Sequence, residues 1–367
     1  VENIMEKNNG KIKQERIMTA LVGSYPKPKT IFPDSGRSLL DVTGMTFYNL
    51  KKEIGAEEFE TRLDQAALMA IEDQNSAGIE WITDGEERRG HYVLYVLRKL
   101  RGIDFTILQN KTIRDGKYVR KVPVVTGKID FISPILVDDF LFTQKHARGI
   151  AKIGLPGPMT VTDGVADAYY KDDREAMAMD YARAIHPEVK SLIDAGCQAI
   201  QFDDPVLLRY PDQAKKWGLK ALHACFEGFE NQATFFVHVC RGYPDPKLEK
   251  QGIEYKANEN YYHEMLSWFS ESNLDIISIE GAQEDLDLSI LPALGKKTIM
   301  LGVLDIGSES VESVELLVKR GQEALQFIPL EQLILAPDCG MIELSRTSAH
   351  QKLMNLSKAT AILNERV

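Results

Sequence analysis

Segments with the pattern of buried strands alternate with helical segments along most of this chain, most regularly from residue 138 onward. Each strand segment is an apolar run enriched in β-branched and aromatic residues, whereas apolar positions in the intervening segments recur with the period of a helix. The predicted strands cover residues 20–26, 79–83, 150–158, 199–205, 235–240, 276–281, 298–305 and 333–340. The predicted helices cover residues 56–77, 138–146, 175–195, 211–230, 257–272, 284–292, 310–327 and 348–364.

Strands that alternate with helices are typical of α/β proteins, and a set of eight such units predicts a (β/α)8 TIM barrel. A doubly wound open sheet is the alternative. The first strand is not followed by the G-x-G-x-x-G turn of a dinucleotide-binding fold, and this favours the barrel.

One stretch, residues 103–135, interrupts the alternation of strands and helices. Its turn signal Arg114-Asp115-Gly116-Lys117 lies between β-rich flanks and predicts an inserted β-hairpin. Residues 1–16 are polar and charged, and we expect them to form a flexible tail. We therefore predict that residues 17–367 form a single barrel domain with the hairpin as an insertion.

Composition narrows the class of protein. The chain of 367 residues is 44% hydrophobic, enough for a large core, and its formal net charge of −10 argues against a nucleic-acid or anionic-membrane surface. No apolar run is long enough to span a bilayer, and we expect no secretory signal. The four cysteines are widely and irregularly spaced, unlike a disulfide framework, so a reducing cytoplasmic location is expected.

The predicted fifth strand ends in a histidine and a cysteine two residues apart, His238 and Cys240. Side chains at i and i+2 of a strand point to the same face, so an imidazole and a thiol can reach one point in space. This combination is typical of a zinc site, although a buried histidine and cysteine in a core strand are also common.

Other chemically active side chains follow the remaining predicted strands. In a (β/α)8 barrel the carboxyl ends of the strands share one rim, which is where active sites lie. Besides His238 and Cys240, the residues expected on this rim are Ser24, Glu86, Asp203, Glu280 and Cys339.

Each rim residue also has an ordinary structural explanation. A carboxylate or serine can cap a helix or pair with a surface arginine, and a cysteine is often a small buried apolar residue. The coincidence of all of them on one rim favours a metal site. Cys197 and Cys225 lie on or beside helices and are expected to be structural.

A zinc ion held by two thiolates, an imidazole and a carboxylate suits thiol alkylation better than hydrolysis. Thiolate ligands reduce the Lewis acidity of zinc, yet the ion still lowers the pKa of an additional thiol and leaves it nucleophilic. A hydrolytic site more often has histidine and carboxylate ligands and a bound water.

Six short motifs occur in the order found in cobalamin-independent methionine synthase, and over roughly residues 18–364 the chain resembles the catalytic barrel of that family. The resemblance implies that His238, Cys240, Glu280 and Cys339 bind Zn²⁺. It also implies that Glu86 and Asp203 hold the amino group of homocysteine, that Ser24 receives its carboxylate, and that Glu280 and Asp203 are catalytic. The motifs are Val22-Gly23-Ser24-Tyr25-Pro26, Asp84-Gly85-Glu86, Ile200-Gln201-Phe202-Asp203-Asp204-Pro205, His238-Val239-Cys240, Ile279-Glu280 and Pro337-Asp338-Cys339-Gly340.

The sequence also departs from the family pattern, and the departures concern the methyl donor. Gly307 replaces a family histidine that assists proton transfer to the folate, and Asp163-Gly164 replaces an aromatic residue. The full-length family enzyme has a second, N-terminal barrel for folylpolyglutamate, and the sequence here resembles only the catalytic barrel. Methyltetrahydrofolate and a corrinoid or other donor, with or without an accessory protein, therefore remain alternatives, and a homo-oligomer is possible.

Rival functions share parts of this pattern. An epoxyalkane:coenzyme M transferase would need a cation for the sulfonate of its thiol, and Arg241 directly after Cys240 keeps this alternative open. A non-catalytic zinc-binding barrel is a second alternative. Metal-free decarboxylase relatives are disfavoured by the cysteine and histidine ligands.

Overall fold

The computed structural model describes residues 7–8, 11–12, 14–29, 45–113, 116, 118–243, 252, 256–283 and 286–365. Its strands, in chain order, are β1 (Lys7–Asn8), β2 (Lys11–Ile12), β3 (Met18–Thr19), β4 (Trp81–Ile82), β5 (Arg101–Ile113), β6 (Tyr118–Asp130), β7 (Ile150–Ala151), β8 (Ile153–Pro156), β9 (Ala166–Asp167), β10 (Ala199–Asp203), β11 (Thr234–Val239), β12 (Ile276–Ile279), β13 (Thr298–Leu304) and β14 (Leu333–Pro337).

The strands form a closed ring. Seven of them make one parallel sheet in the order β3-β14-β13-β12-β11-β10-β8. The eighth, β4, closes the ring because it pairs with β7, directly before β8, and bridges to Ala20, directly after β3. The predicted (β/α)8 barrel is confirmed. Its third strand is split into β7 and β8, with Lys152 between them.

Helices surround the ring. They are α1 (Met45–Ile54), α2 (Ala56–Ala77), α3 (Tyr92–Leu97), α4 (Val137–His146), α5 (Pro158–Asp163), α6 (Arg174–Asp194), α7 (Val206–Arg209), α8 (Pro211–Gln213), α9 (Leu219–Ala224), α10 (Tyr261–Ser270), α11 (Val314–Ala324) and α12 (Arg346–Glu365). A π-helical segment, Ala214–Gly218, joins α8 to α9, and 3-10 turns cover Leu288–Leu294 and Leu330–Gln332.

Two predicted helices differ from the structure. The segment 211–230 is a short α8, a π-helical segment and α9, and it ends at Ala224. The segment 284–292 is replaced by the 3-10 turn Leu288–Leu294, which contains Pro292. Proline lacks the backbone N–H that a regular helix needs, and this accounts for the tighter turn. Residues 284 and 285 lie outside the described residues.

The inserted hairpin is present and runs from Arg101 to Asp130, so it begins two residues before the predicted segment 103–135 and ends five residues before that segment does. Strands β5 and β6 pair antiparallel, with register shifts between Arg101 and Ile103 and between Asp104 and Leu108. β6 also pairs with β9, which anchors the hairpin on the barrel. Three residues of the predicted turn, at positions 114, 115 and 117, lie outside the described residues.

The C-terminal part of the predicted tail 1–16 contacts the amino-terminal end of the barrel. Lys11 Nζ donates to Asp275 at 2.5 Å, and Gln14 Nε2 donates to the Leu333 carbonyl at 2.6 Å. Residues 1–6, 9–10 and 13 lie outside the described residues. The division into a tail and one zinc-binding domain stays a prediction.

The barrel interior is apolar at the amino-terminal end of the strands and polar toward their carboxyl ends. Trp81, Phe236 and Met300 are among the buried residues of the apolar interior layer. The side chains of Trp81 and Phe236 meet edge to face, with ring centroids 5.1 Å apart. Inward positions recur every second residue, so the next residue inward after Phe236 is His238, which is buried.

Candidate metal and substrate site

Parallel register aligns the inward-facing polar residues at the carboxyl ends of the strands. On β10, Gln201 and Asp203 face inward, and Asp203 is paired in register with His238 on β11. His238 is in turn paired with Ser278 on β12. This register brings side chains that lie far apart in sequence to one end of the barrel, as the strand pattern predicts.

Three of the predicted zinc ligands form a compact buried cluster. The ligand atoms of His238, Cys240 and Cys339 all lie within 4.8 Å of one another. His238 Nε2 is 3.3 Å from Cys339 Sγ, and the two sulfurs are 3.7 Å apart. For tetrahedral zinc with ordinary bond lengths, two sulfur ligands are about 3.8 Å apart and a nitrogen–sulfur pair about 3.6 Å apart. The donor set and its spacing therefore fit zinc.

The orientation of His238 is set by a neighbouring strand. Its Nδ1 is 2.8 Å from the Ser278 hydroxyl, and Nε2 faces the sulfurs. If Nδ1 carries the proton and donates it to Ser278, the lone pair of Nε2 is directed at the cluster. Metal-binding histidines are commonly held in this way by a hydrogen bond on the other ring nitrogen.

The cluster favours an anionic sulfur even without a bound ion. The hydrogen bond from Cys339 and the adjacent His238 hold the pKa of the Cys240 thiol well below its usual range, against the effect of burial. Thiolate is the form of cysteine that binds metals.

Glu280, the fourth predicted ligand, lies beside this cluster rather than in it. Its carboxylate is 3.8 Å from Arg241 Nε and 3.8 Å from Lys256 Nζ. Glu280 is 6% exposed, and its Oε1 has no hydrogen-bond partner among the described residues. Burial, together with the nearby Cys240, raises its pKa to about 8. A buried carboxylate oxygen without a hydrogen bond is compatible with binding a cation.

The two carboxylates predicted to bind an amine lie together above the third strand. A methyl group on Gly154 would be 3.1 Å from Asp203 Oδ2 and 3.7 Å from Glu86 Oε1. Asp203 Oδ1 accepts from Gln201 Nε2 at 2.6 Å. Arg89 Nη1 lies 3.6 Å from Glu86 Oε1 and donates to the Gly154 carbonyl.

Both of these carboxyl groups are hard to ionise in the free protein. Burial raises the pKa of Glu86 to about 7, although Arg89 opposes the shift and Asp203 adds to it. Burial also raises the pKa of Asp203, with His238 opposing. A cation that enters between the two carboxylates would favour the ionised form of both.

The backbone of Glu86 is strained. Its φ is +56°, a conformation that is uncommon for residues other than glycine. Three hydrogen bonds hold it: Glu86 N–H donates to Asp84 Oδ1 at 3.0 Å, and the Glu86 carbonyl accepts from Lys27 Nζ at 2.5 Å and from the Arg89 N–H at 2.9 Å. Strain that is maintained by surrounding contacts is frequent at functional sites.

Ser24 lies next to the cluster and contacts a residue that sequence reasoning missed. Its hydroxyl is 3.2 Å from the Tyr243 hydroxyl, and the two share a hydrogen bond. Gly340, directly after Cys339, packs so closely here that a Cβ would overlap both hydroxyl oxygens. Glycine at this position is therefore required by the close approach of the chain.

One cavity of about 100 Å³ connects these groups. It is lined by six of the seven predicted site residues, Ser24, Glu86, Asp203, His238, Cys240 and Cys339, but not by Glu280. Its other lining residues include Lys27, Arg89, His91, Tyr92 and Tyr243, none of which we predicted as site residues. The only sequence signal for the first four was their closeness to the Ser24 and Glu86 motifs.

A second cavity of about 160 Å³ adjoins the first and shares five lining residues with it, His91, Tyr92, Pro205, Gly242 and Tyr243. The second cavity lies between the barrel and the hairpin, because strand residues of β5 and β6 also line it. Four of its side chains are basic: Arg120, Lys121, Arg209 and Arg241.

Fold and site together define a class: a parallel (β/α)8 barrel with thiol, imidazole and carboxylate groups at the carboxyl ends of its strands. The chain belongs to the family described as cobalamin-independent synthase, catalytic domain, whose family model matches residues 17–361. The predicted resemblance is thus confirmed.

Named relatives agree with this family. The chain is 28% identical over 354 residues to the methionine synthase of Sulfurisphaera tokodaii, covering 95% of this chain and 92% of the relative. It is 27% identical to the methionine synthase of Pyrococcus horikoshii, covering 95% and 93%. Its structure is similar to that of a B12-independent methionine synthase from Shewanella sp. W3-18-1 in complex with selenomethionine, with a TM-score of 0.82, 28% identity and coverage of 96% and 98%.

No helix in the described part of the chain is both long enough and apolar enough to cross a membrane.

Proposed function

We propose that this protein is a zinc-dependent methyltransferase that transfers a methyl group to the sulfur of homocysteine and forms methionine. The observation that carries the proposal is that the thiol–imidazole cluster and the carboxylate pair line the same cavity. A cluster for sulfur beside a site for an ammonium group matches the two ends of an amino thiol. The names of the relatives support the same substrate class.

His238, Cys240 and Cys339 would hold the zinc ion, with Glu280 as the predicted fourth ligand. The spacing of the three ligand atoms fits this ion, and the buried Oε1 of Glu280 has no other hydrogen-bond partner among the described residues. When bound, zinc supplies a positive charge that lowers the pKa of a substrate thiol.

Glu86 and Asp203 would bind the substrate ammonium, and Ser24 would receive the carboxylate. An unpaired ammonium in a buried site costs several kcal/mol, so the two carboxylates provide a strong basis for selecting an amino acid. Because Asp203 and Glu86 converge above Gly154, one ammonium can contact both. Asp203 and Glu280 stay the predicted catalytic carboxylates.

The reaction requires a thiolate sulfur, the methyl carbon and the donor atom that carries the methyl group to lie on one line. The thiol proton passes to solvent, a new sulfur–carbon bond forms, and the bond between the methyl group and its donor breaks with its electron pair staying on the donor. The second cavity, which shares five lining residues with the first, is where we place the donor. Its basic side chains favour an anionic donor. Both methyltetrahydrofolate and a corrinoid remain candidates.

The position of Arg241 bears on the epoxyalkane:coenzyme M rival. Arg241 Nε donates to the Ala257 carbonyl at 2.6 Å, and Nη2 is 2.8 Å from Glu259. Arg241 lines the second cavity and not the first, so it is poorly placed to receive the sulfonate of a thiol bound at the cluster. The carboxylates Glu86 and Asp203 would also repel a sulfonate. Homocysteine is therefore the better-supported thiol.

The test is a direct assay of the zinc-loaded protein. Homocysteine is incubated with methyltetrahydrofolate, its polyglutamate, methylcobalamin, or a methylated corrinoid protein, and methionine is measured. We expect methionine with at least one donor, and no methylation of coenzyme M. Methylation or alkylation of coenzyme M without reaction of homocysteine would establish the rival, and tight zinc binding with no reaction of either thiol would favour a non-catalytic barrel.

We also propose that the protein acts in the cytoplasm. All four cysteines are free and buried, as in a protein that keeps its thiols reduced.

A further inference from the structure

A lysine lies inside the barrel directly beneath the carboxylate pair. Lys152 occupies the break between β7 and β8 and is 1% exposed. Within the described part of the chain, no carboxylate forms an ion pair with its Nζ. The ammonium instead donates to the Val22 carbonyl at 2.8 Å and to Oε1 of Gln201, and it lies 5.4 Å from the ring centre of Phe236.

Gln201 connects this lysine to Asp203. The amide of Gln201 has one acceptor end and one donor end, and it is fully buried. An ammonium can only donate, so it holds the Oε1 end. The Nε2 end is then directed at Asp203 Oδ1, 2.6 Å away, and at the Val22 carbonyl, 2.9 Å away. With Lys152 protonated, the direction of every hydrogen bond from Lys152 to Asp203 is therefore fixed.

We propose that Lys152 is a positioning residue for amino-acid recognition: through Gln201 it orients the Asp203 carboxylate toward the substrate ammonium. This inference rests on the proposed function. On this proposal, residues inside the barrel contribute to the preference for a thiol that carries an amine. Neither Lys152 nor Gln201 needs to touch the substrate.

Burial of this lysine costs folding free energy whatever its role. Methionine has a similar volume and would fill this position without burying a charge, as Phe236 and Met300 fill the layer below. Burial lowers the pKa of Lys152 to about 7, while Asp203 and Glu86 oppose that shift. The lysine is thus electrostatically linked to both carboxylates.

The orientation of Asp203 depends on this link. Without the ammonium, Oε1 of Gln201 is buried with no donor, and the amide is held only through Nε2, by Asp203 and the Val22 carbonyl. Satisfying that oxygen requires the amide to move or a water to enter beneath it. Either change shifts the donor that holds Asp203 above Gly154. Glu86 keeps its own neighbouring cation, Arg89, so the main effect of the change falls on Asp203.

The experiment compares two thiols on the zinc-loaded protein. Homocysteine and 4-mercaptobutanoate differ only in the amino group, so the ratio of their Kd values measures amine recognition. We expect Lys152→Met to reduce this ratio about tenfold or more, the effect of losing one hydrogen bond to a charged group. Gln201→Met, which keeps the lysine, should reduce it similarly. In an Asp203→Asn background, Lys152→Met should change the ratio little.

Lys352→Met is the matched control. Lys352 is also fully buried, but its Nζ is 2.8 Å from Glu312, away from the cavity. This variant should lose stability and keep the ratio of the wild type. If Lys152→Met and Gln201→Met weaken both thiols equally, the two residues are merely structural and the inference is wrong. If the wild type itself does not prefer homocysteine, the proposed substrate is wrong instead.

Discussion

Removal of the Ser278 hydroxyl tests whether β12 prepares His238 for zinc. Ser278 is 1% exposed, and its Oγ is 2.8 Å from His238 Nδ1. Zinc binding through Nε2 requires the ring proton on Nδ1, and in Ser278→Ala that proton loses its acceptor inside the barrel. The imidazole must then either bury an unsatisfied N–H or move its proton to Nε2, the nitrogen that faces the sulfurs.

The cost of either state of the imidazole sets the expected loss of zinc affinity. A buried donor without a partner costs about 1–3 kcal/mol, which corresponds to about 5- to 150-fold in zinc affinity. Loss of a hydrogen bond that orients a metal ligand typically weakens metal binding about 10- to 100-fold. The two figures agree, and we expect Ser278→Ala to raise the Kd for zinc by about 10- to 100-fold.

Competition with a chromophoric chelator at fixed pH measures this Kd. Ser348→Ala is the matched control. Ser348 lies on the last helix of the barrel, is also buried, and its hydroxyl donates to the Glu309 carbonyl at 2.7 Å. It should leave the zinc affinity unchanged. A zinc affinity of Ser278→Ala within twofold of that of Ser348→Ala would show that the serine does not orient His238.

Three other predictions concern the same cavity. Cys339→Ser should lose bound zinc, measured by elemental analysis after dialysis, whereas Cys225→Ser, a buried cysteine elsewhere, should retain it. Calorimetry should show that the preference for homocysteine over 4-mercaptobutanoate increases as pH rises from 6 to 8. Burial raises the pKa of Glu86 to about 7, and only the ionised carboxylate attracts the ammonium group; Glu86→Gln should therefore show no such increase. Gly340→Ala should raise the KM for homocysteine and lower thermal stability, since the added methyl overlaps the Ser24 hydroxyl; unchanged values would contradict the close packing.

Periodicity was sufficient to predict the long regular elements. Helix α2 has the predicted bounds, 56–77, because its apolar positions recur with helical spacing. The first strand shows the limit of this method: Met18–Thr19 is the strand, and the predicted segment 20–26 is mostly a loop. Its backbone pairs with neighbouring segments, as where Tyr25 N–H donates to the Gly85 carbonyl, and no local pattern reports such partners.

The part of the candidate site that depends on strand register could be predicted from the sequence. Six predicted residues line one cavity because each follows or ends a strand. Glu280 follows a strand as well, but the direction of its side chain depends on Arg241 and Lys256, which a strand pattern does not specify. Lys152 was missed for a similar reason. A lysine within an apolar run suggests an edge or a strand end, and only the closed ring shows that it is interior.

The way in which the ring closes divides the site into two mechanically different halves. His238, Cys240 and Cys339 lie at the ends of strands that belong to the continuous seven-stranded sheet. Ser24 and Glu86 follow β3 and β4. These two segments are joined by one bridge, Ala20 to Trp81, and a few backbone hydrogen bonds such as Tyr25 N–H to the Gly85 carbonyl, and β4 pairs with β7 over only two residues.

Fewer interstrand hydrogen bonds restrain that seam, so local opening costs less free energy there than in the sheet. The sulfur end of the substrate is therefore held against a rigid wall. The amino group lies between the two halves, because Asp203 ends β10 of the same sheet whereas Glu86 follows the more weakly paired β4.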